Sequence, residues 1–162
     1  MTRRVSAGIL LFRRREGQTE VLLGHPGGPF FANRNRGHWT VPKGEVAEGD
    51  DLIATAYREF FEETGHQVTD VIGDPDRAAI DLGFVIQASG KRVHCWALEG
   101  DLDPATAISN TFDMPWPPGS GHIGTFPEID RLAWFSFDEA RRRANRSQAE
   151  FIDRLANAMA AD

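Results

Sequence analysis

Apolar residues occur along this chain in short runs separated by turn-forming segments, a pattern that predicts mainly β-strands. Residues 5–12 form the first apolar run, and the polar turn at residues 15–19 follows it. Further strands are predicted at residues 20–24, 39–41, 67–72, 82–87, 92–98 and 132–135. Residues 88–91, Ala-Ser-Gly-Lys, are typical of a hairpin turn between two of these strands.

Helical periodicity marks one internal segment, residues 51–64, where apolar side chains recur on one face. Asp50 or Asp51 can cap its first turn. Gly65 is placed to end the helix, because glycine readily adopts the left-handed conformation found there. The sequence therefore predicts a helix of about four turns in the first half of the chain.

Two capping-box patterns, at residues 136–139 and 147–150, predict two C-terminal helices. Strands thus dominate the middle of the chain, with helices inserted and at the end. This order predicts an α/β fold of the mixed, or α+β, type. The length of 162 residues predicts one domain over residues 1–162.

Two long irregular segments, residues 25–37 and 100–127, interrupt the pattern and are rich in Gly and Pro. Long loops inside a domain are often functional. The second segment contains Phe112, Trp116 and Phe126, more aromatic residues than linkers carry. We therefore expect an ordered loop that packs on the rest of the domain.

Composition and charge exclude several classes of protein. The net charge of −6 argues against general binding to a nucleic-acid polymer, which requires Lys and Arg to neutralise phosphates. The sequence contains no apolar run as long as a membrane span. The single cysteine, Cys95, cannot form an internal disulfide and fits a buried thiol in a cytoplasmic protein. A small phosphorylated ligand is still compatible with an acidic chain, because a local site can be basic or hold a metal ion.

Carboxylates crowd residues 57–66 of the predicted helix, with the sequence YREFFEETGH. Glu59, Glu62 and Glu63 fall within an arc of about 100° and repel one another. Taken alone, the stretch is more typical of a solvent-exposed face. Carboxylates clustered on a rigid helix also suit a hard divalent cation such as Mg²⁺, and Arg58 can hold one of them by paired hydrogen bonds.

The spacing from Gly44 to His66 resembles the signature of the Nudix family, with every gap preserved over 23 positions. Asp50 stands where that family has Glu, and His66 stands where it has an aliphatic residue. In the family, the acid at the position of Asp50 resembles a structural brace to the helix region and not a main metal ligand. Because Asp is shorter than Glu, Asp50 is expected to affect that bracing. His66 is expected to cost some packing. The residues that match the signature are Gly44, Arg58, Glu59, Glu62, Glu63 and Gly65.

This resemblance implies both a fold and a chemistry. Nudix proteins fold as an α/β/α sandwich around a mixed sheet, and they hydrolyse nucleoside diphosphates linked to another group with Mg²⁺ or Mn²⁺ as cofactor. By resemblance, the metal ligands are the carbonyl of Gly44 and the carboxylates of Glu59, Glu62 and Glu63, one of which can act as the base. Arg58 orients these carboxylates. A homodimer is common in the family.

Residues before and after the motif favour one substrate class. The lead-in Trp-Thr-Val-Pro-Lys-Gly at residues 39–44 resembles that of dinucleoside polyphosphate hydrolases. Lys43 can meet a phosphate as a point charge, or it is a solvent-exposed lysine. Those hydrolases are also similar in carrying a metal-binding Glu six residues before a Trp. Glu128 stands six residues before Trp134 and is therefore a candidate metal ligand. The alternative is that Glu128 is an exposed loop acid. Weaker candidates for that position are Asp130 and Glu99.

The two long segments are expected to line the substrate side of the site. Arg34, Arg36 and His38 can contact phosphates. The candidates for stacking on a base are Phe112, Trp116 and Phe126. The alternative for each aromatic residue is a small core beneath the loop.

The leading functional hypothesis is therefore a Mg²⁺-dependent pyrophosphohydrolase acting on a small nucleotide, best a dinucleoside polyphosphate such as diadenosine tetraphosphate. The alternative within the same chemistry is a (d)NTP or oxidised-nucleotide pyrophosphatase. A domain that binds a nucleotide without cleaving it is a third hypothesis. Such domains usually lack a motif carboxylate, whereas this sequence keeps all three.

Overall fold

A mixed β-sheet lies between helices in the computed structural model of this protein, which describes residues 4–161. Within these residues the strands are β1 (Val5–Arg15), β2 (Gln18–Pro26), β3 (Lys43–Glu45), β4 (Ile80–Ile86), β5 (Arg92–Glu99), β6 (Thr111–Pro115), β7 (Ile123–Pro127) and β8 (Ile129–Ser136). The helices are α1 (Leu52–Thr64), α2 (Val68–Val71), α3 (Phe137–Arg143) and α4 (Ala149–Ala160), with a 3-10 turn at Pro104–Thr106.

The main sheet has the strand order β4-β5-β1-β2-β8, and β3 joins one side of β1. β1 and β5 are parallel, and the other neighbouring strands are antiparallel. On one side of β1 the partner changes along the strand, because residues 6–8 pair with β3 and residues 12–15 pair with β2. The sheet therefore opens between β2 and β3.

Alternating side chains of β1 supply the core on both faces of the sheet. Ile9 packs with Phe60 of α1 on one face, and Leu10 packs with Phe151 of α4 on the other. Helices thus cover both faces, which confirms the predicted α/β/α arrangement around a mixed sheet. Cys95 is fully buried in the α4-facing core, and this burial raises the pKa of its thiol, as expected for an inert cysteine.

Helix α1 agrees with its predicted limits to within one residue. Asp51 caps it by accepting a hydrogen bond from the Ala54 N–H at 3.3 Å. Gly65 ends the helix with a φ of +78°, and its N–H donates to the Phe61 carbonyl at 2.8 Å. That backbone conformation strains any residue with a Cβ, so glycine is the residue suited to this position.

His66 has a structural contact that the sequence did not indicate. Its ring Nε2 lies 2.8 Å from Thr106 Oγ1, and the nearby Ile108 N–H donates to the Thr64 carbonyl at 3.0 Å. These hydrogen bonds fix the 3-10 turn against the end of α1. The His66 ring thus has a hydrogen-bonding partner, and the expected cost in packing stays a prediction.

Residues 67–72 form α2 instead of the predicted strand. The run of branched apolar residues favoured a strand, but Val68 and Val71 lie three positions apart and both are buried. A spacing of three places two side chains on one face of a helix, whereas it would place them on opposite faces of a strand.

Residues 39–41 make isolated bridges instead of the predicted strand: Trp39 pairs with Ala144, and Thr40 pairs with Gly24. The strand at this position is β3, which begins directly after Pro42 in a segment predicted to be a loop. Proline has no N–H for a ladder, which explains why pairing with β1 starts after it.

The segment at residues 100–127 is ordered, as predicted, but it is more regular than predicted. β6 and β7 form an antiparallel hairpin in which Phe112 lies opposite Phe126. The Pro- and Gly-rich composition of the connection obscured these strands, because such residues usually mark loops.

The two capping-box predictions have different outcomes. Ser136 caps α3 by accepting a hydrogen bond from the Glu139 N–H at 3.2 Å, as predicted. The second predicted helix exists as α4, but its predicted capping box is wrong, because Gln148 occupies the N-cap position and makes no side-chain cap. The buried Gln148 carboxamide instead accepts from the Val41 N–H at 2.9 Å, so a tertiary contact replaces the local one. None of the helices within residues 4–161 is long and apolar enough to cross a membrane.

Candidate active site

A cavity of about 380 Å³ lies where the sheet opens between β2 and β3. α1 contributes carboxylates to one wall, and β3 contributes Lys43 and Gly44. The cavity thus brings together six of the predicted site residues: Lys43, Gly44, Glu59, Glu62, Glu63 and Glu128.

Glu59 packs directly against the backbone of β3. A Cβ added at Gly44 would overlap the Glu59 carboxylate, so glycine is required for this close approach. The Glu59 side chain is 14% exposed. Burial, together with the charge of Glu62, raises its pKa. This carboxylate is therefore held at a position where a positive charge would stabilise it.

Arg58 bridges two of the carboxylates. Its Nη2 donates to Glu59 Oε1 at 3.3 Å, and its Nε lies 3.7 Å from Glu62 Oε1. The guanidinium is about half exposed. Arg58 therefore restrains two side chains that repel each other, and its orienting role in catalysis stays a prediction.

Glu63 is the most buried of the helix carboxylates, with 7% exposure. Its Oε1 accepts a hydrogen bond from the Lys43 N–H at 3.3 Å. Burial raises the pKa of Glu63 to about 8, against the opposing effect of the Lys43 charge. Burial and then the charge of Lys91 lower the pKa of the Lys43 ammonium. The ionised form of Glu63 is therefore disfavoured in the fold without a further cation.

The donor set at this cavity fits a hard divalent cation. Carboxylate and carbonyl oxygens are the ligands that Mg²⁺ accepts, and Mg²⁺ usually keeps several waters and binds substrate phosphates. Within residues 4–161 no three His, Cys, Asp or Glu side chains already converge as ligands of one ion. Arg58 and the Lys43 N–H contact only Oε1 of Glu59, Glu62 and Glu63, so the second oxygen of each carboxylate is available to a cation.

Glu128 enters the cavity from the junction of β7 and β8. Its N–H donates to the Asn110 carbonyl at 2.8 Å, and its carbonyl accepts from the Gly27 N–H at 3.0 Å. The charge of Glu128 also acts on Lys43 and Glu63. The backbone at Glu128 is thus fixed on both sides, and its side chain lies with the other acids.

The two weaker candidate acids have other partners. Asp130 Oδ1 lies 2.8 Å from the ring Nδ1 of His25. Glu99 Oε1 lies 3.5 Å from Arg14 and 3.6 Å from Arg77, beside a different cavity. Neither acid lines the cavity that contains Glu128.

The predicted substrate contacts in the loops do not line this cavity. Arg34 and Arg36 are exposed, and the half-buried ring of His38 lies 5.8 Å from the ring of Phe31. Trp116 meets Phe30 edge-on at 5.8 Å. Phe126 lies 6.0 Å from Phe112 in the β6–β7 hairpin. Contacts of these residues with substrate stay predictions.

Sequence reasoning missed Lys91 and Asn110, which also line the cavity. Lys91 ends the predicted hairpin turn, and its position near the site follows from the pairing of β5 with β1. The Asn110 N–H donates to the Glu62 carbonyl at 2.7 Å, which connects the 100–127 segment to α1. No local sequence pattern marks such a tertiary contact.

Asp50, the first acid of the motif, lies away from the carboxylate cluster. It is exposed and lines a second cavity of about 510 Å³, together with Leu52, Phe84 and Arg92. Glu59, Glu62 and Glu63 do not line this larger cavity. The departure from Glu at position 50 thus leaves the carboxylate cluster complete.

Replacing Glu63 by Gln is expected to stabilise the metal-free protein. The pKa of Glu63 in the fold, about 8, lies above its unfolded value, so its ionisation costs stability as pH rises through that range. A neutral amide removes this cost. At pH 8 the free energy of unfolding should rise by about 1–3 kcal/mol, and the decline in stability between about pH 5 and pH 8 should flatten. Thermal unfolding in EDTA across this pH range measures the effect.

With added Mg²⁺, wild type should instead be more stable than Glu63→Gln. A ligand of the native state stabilises wild type more than it stabilises a variant with a weakened site. Unfolding with increasing Mg²⁺ therefore serves as the internal control. A Glu63→Gln variant that is less stable than wild type in EDTA at pH 8 would contradict the description of Glu63 as a costly buried charge.

Comparison with known proteins places this chain in a family. The NUDIX domain matches residues 2–155. An RNA pyrophosphohydrolase of Rhizobium meliloti (strain 1021) is 30% identical over 104 residues, covering 59% of this chain and 57% of that protein. An 8-oxo-(d)GTP phosphatase of Mycolicibacterium smegmatis is 30% identical over 143 residues, covering 83% of this chain and 35% of that protein. The asymmetrical bis(5'-nucleosyl)-tetraphosphatase of Rattus norvegicus is 31% identical over 100 residues, covering 58% and 63%.

This chain spans less than two thirds of the length of each of these relatives. Among solved structures, a C. elegans Ap4A hydrolase in a binary complex matches with a TM-score of 0.67 at 20% identity, covering 97% of this chain and 99% of that one. Similarity at that identity shows a shared fold. The matched family domain contains the whole carboxylate cavity. The chain therefore belongs to the NUDIX family.

Proposed function

We propose that this protein is a divalent-metal-dependent pyrophosphohydrolase that cleaves a nucleoside diphosphate linked to a further group. Family membership supports this proposal, since Nudix hydrolases generally need a divalent metal. The observation that carries it is the clustering of acids and lysines on one cavity: Glu59, Glu62, Glu63, Glu128, Lys43 and Lys91.

The acidic wall of the cavity suits hydrolysis of a diphosphate. A divalent cation held by the glutamates and the Gly44 carbonyl would neutralise the charge of the substrate. Arg58 keeps Glu59 and Glu62 on one side of the cavity. A carboxylate of the cluster can accept the proton of the attacking water, because it lies beside the place where the phosphorus must bind.

The two lysines of the cavity, Lys43 and Lys91, contact the substrate and not the metal in this proposal. Lys43 and Lys91 bring positive charge to an otherwise acidic cavity, and each can meet a phosphate oxygen as a point charge. The charge of Lys91 also lowers the pKa of Lys43 after the larger effect of burial, so an anion between the two ammonium groups would stabilise both.

Within this chemistry we infer that the best substrate is a dinucleoside polyphosphate such as diadenosine tetraphosphate. The Pro-Lys-Gly lead-in at residues 42–44 supports this choice, as does the similarity to the Rattus tetraphosphatase. The cavity of about 380 Å³ is too small for two nucleosides and four phosphates, so the nucleosides must lie outside it. Five predicted contacts lie outside it and are available for them: Arg34, Arg36, His38, Trp116 and Phe126.

An oxidised-nucleotide or (d)NTP pyrophosphatase is the second candidate. The observation in its favour is the similarity to the 8-oxo-(d)GTP phosphatase, which extends over 83% of this chain. Both candidate functions use the same carboxylate cluster. They differ in the part of the substrate that lies outside the cavity.

A substrate panel tests the proposal. The purified protein is incubated with diadenosine tetraphosphate, ADP-ribose, 8-oxo-dGTP, the four dNTPs and a 5'-triphosphorylated RNA, with Mg²⁺, Mn²⁺ or EDTA, and products are separated by chromatography. We expect metal-dependent turnover, fastest for the dinucleoside polyphosphate. Turnover confined to dNTPs or 8-oxo-dGTP would overturn the substrate choice, and no turnover of any compound would overturn the hydrolase proposal. Light scattering on the same sample tests the homodimer that the family resemblance predicts.

A further inference from the structure

We propose that His25 is a positioning residue that fixes Glu128 in the active-site cavity, an inference that rests on the proposed hydrolase function. His25 lies near the end of β2 and is 1% exposed. Its ring Nδ1 lies 2.8 Å from Asp130 Oδ1, and its Nε2 lies 2.7 Å from the carbonyl oxygen of Arg34. One buried ring thus connects the loop after β2 to the strand that follows Glu128.

The chemistry of the two contacts limits which side chain can replace the ring. A carbonyl oxygen accepts hydrogen bonds and cannot donate them, so Nε2 of His25 is the donor to Arg34. Nδ1 faces a carboxylate, which also accepts when it is ionised. The ring of Trp39 lies edge-on at 5.2 Å and restricts the imidazole from a third side. The ring therefore has a single arrangement that satisfies both partners.

The strand ladder is interrupted where this contact occurs. His25 pairs with Arg131, but the next residue, Pro26, pairs with Ile129, so Asp130 is the extra residue of a β-bulge. A bulged residue lacks a regular ladder partner, and bulges are frequent beside active sites. The hydrogen bond between His25 and Asp130 supplies the restraint that the ladder does not provide at this residue.

The backbone on either side of the bulge packs without spare room. A Cβ at Gly27 would overlap the Pro127 carbonyl, and a Cβ at Gly24 would lie 2.8 Å from Ile129. The Gly27 N–H also donates to the Glu128 carbonyl. Residues 24–27 and 127–130 therefore form one close-packed unit around His25. A change at the ring is transmitted to Glu128 through two residues of backbone.

Two substitutions at His25 separate its two hydrogen bonds. The amide of His25→Asn can take the place of Nδ1 and keep the contact with Asp130, whereas the amide of His25→Gln can take the place of Nε2 and keep the contact with Arg34. If His25 acts through Asp130 and Glu128, His25→Gln is the more harmful change. We expect it to lower kcat for the best substrate of the panel by about 10–100-fold, the usual effect of losing an outer partner of a metal site. His25→Asn should retain most of the activity.

A double-mutant cycle with Glu128→Gln tests whether the effect passes through Glu128. We expect His25→Gln to reduce kcat by less than about twofold in the Glu128→Gln background, because the group that it positions is already gone. Mn²⁺ affinity, measured by electron paramagnetic resonance, should fall in parallel and gives a readout independent of turnover. Circular dichroism and thermal unfolding accompany each variant. If His25→Gln fails to fold, Asp130→Ala replaces it with the same expectation, because alanine removes the hydrogen bond to Nδ1 and the Asp130 side chain is about one third exposed.

His94 provides the matched control. Its Nε2 lies 2.7 Å from Asp81 Oδ1, a hydrogen bond of the same kind, and it does not line the carboxylate cavity. His94→Gln should leave kcat and Mn²⁺ affinity unchanged. Wild-type kcat in His25→Gln, or losses that multiply fully in the double mutant, would overturn the inference. Absence of turnover in wild type would instead overturn the proposed function, and the Mn²⁺ comparison would still test the positioning of Glu128.

Discussion

Replacing Glu62 by Gln should lower kcat/KM for the hydrolysed nucleotide by roughly 100-fold or more while the protein remains folded. The Glu62 side chain is partly exposed and pairs with Arg58, and Gln has the same shape, so the substitution leaves the packing of α1 intact. The loss of one anionic oxygen weakens the hold on the cation. A loss of about 3 kcal/mol of transition-state stabilisation corresponds to roughly that factor. Steady-state kinetics at saturating Mg²⁺ measures it.

Glu150 on α4 is the matched control for this change. Like Glu62, it pairs with an arginine of its own helix, and its Oε1 lies 3.1 Å from Arg154, but it does not line the cavity. Glu150→Gln should keep kcat/KM within about twofold, as expected of an exposed ion pair. Equal losses in the two variants, or full activity in Glu62→Gln, would contradict the role of Glu62 in the site.

The local parts of the candidate site could be predicted from the sequence. The limits of α1 follow from Asp51, Gly65 and the apolar stripe between them, all of which act within a few residues. Glu59, Glu62 and Glu63 share one side of α1 because of helical geometry alone. The presence of Gly44 in the same cavity followed from a fixed spacing, and the physical reason for glycine, its contact with Glu59, became visible only in the structure.

The parts that could not be predicted depend on pairing between distant segments. Lys91 and Asn110 line the cavity because β5 pairs with β1 and because the 100–127 segment bonds to α1. The wrong strand at residues 67–72 has a related cause, since a short apolar run fits a helix or a strand and packing decides between them. The capping box predicted at residues 147–150 fails for a related reason, because Gln148 occupies the N-cap position of α4 and its side chain accepts a hydrogen bond from the Val41 N–H instead.

Replacing Gly44 by Ala should sharply lower activity at almost no cost in stability. The new Cβ would occupy the space of the Glu59 carboxylate, so that carboxylate must move away from β3. The moving atoms are the end of a flexible side chain, so the free energy of unfolding should change by less than about 1 kcal/mol and Tm by no more than about 4 °C. The displaced carboxylate lies outside its place in the cluster, and kcat/KM should fall by about 100-fold. Kinetics and thermal unfolding of the same preparation measure both effects.

Gly73 offers the matched control, because a Cβ there meets nothing within 4 Å. Gly73→Ala should keep both Tm and kcat/KM near wild type. If Gly44→Ala unfolds the protein, the contact between β3 and α1 is a structural requirement of the fold, and the proposed separation of function from stability at Gly44 is wrong. If Gly44→Ala keeps full activity, Glu59 does not need its place against β3. The expected result is that Gly44→Ala loses activity and keeps its Tm. That result would show that the site depends on the contact between Gly44 and Glu59, in which glycine makes room for a carboxylate.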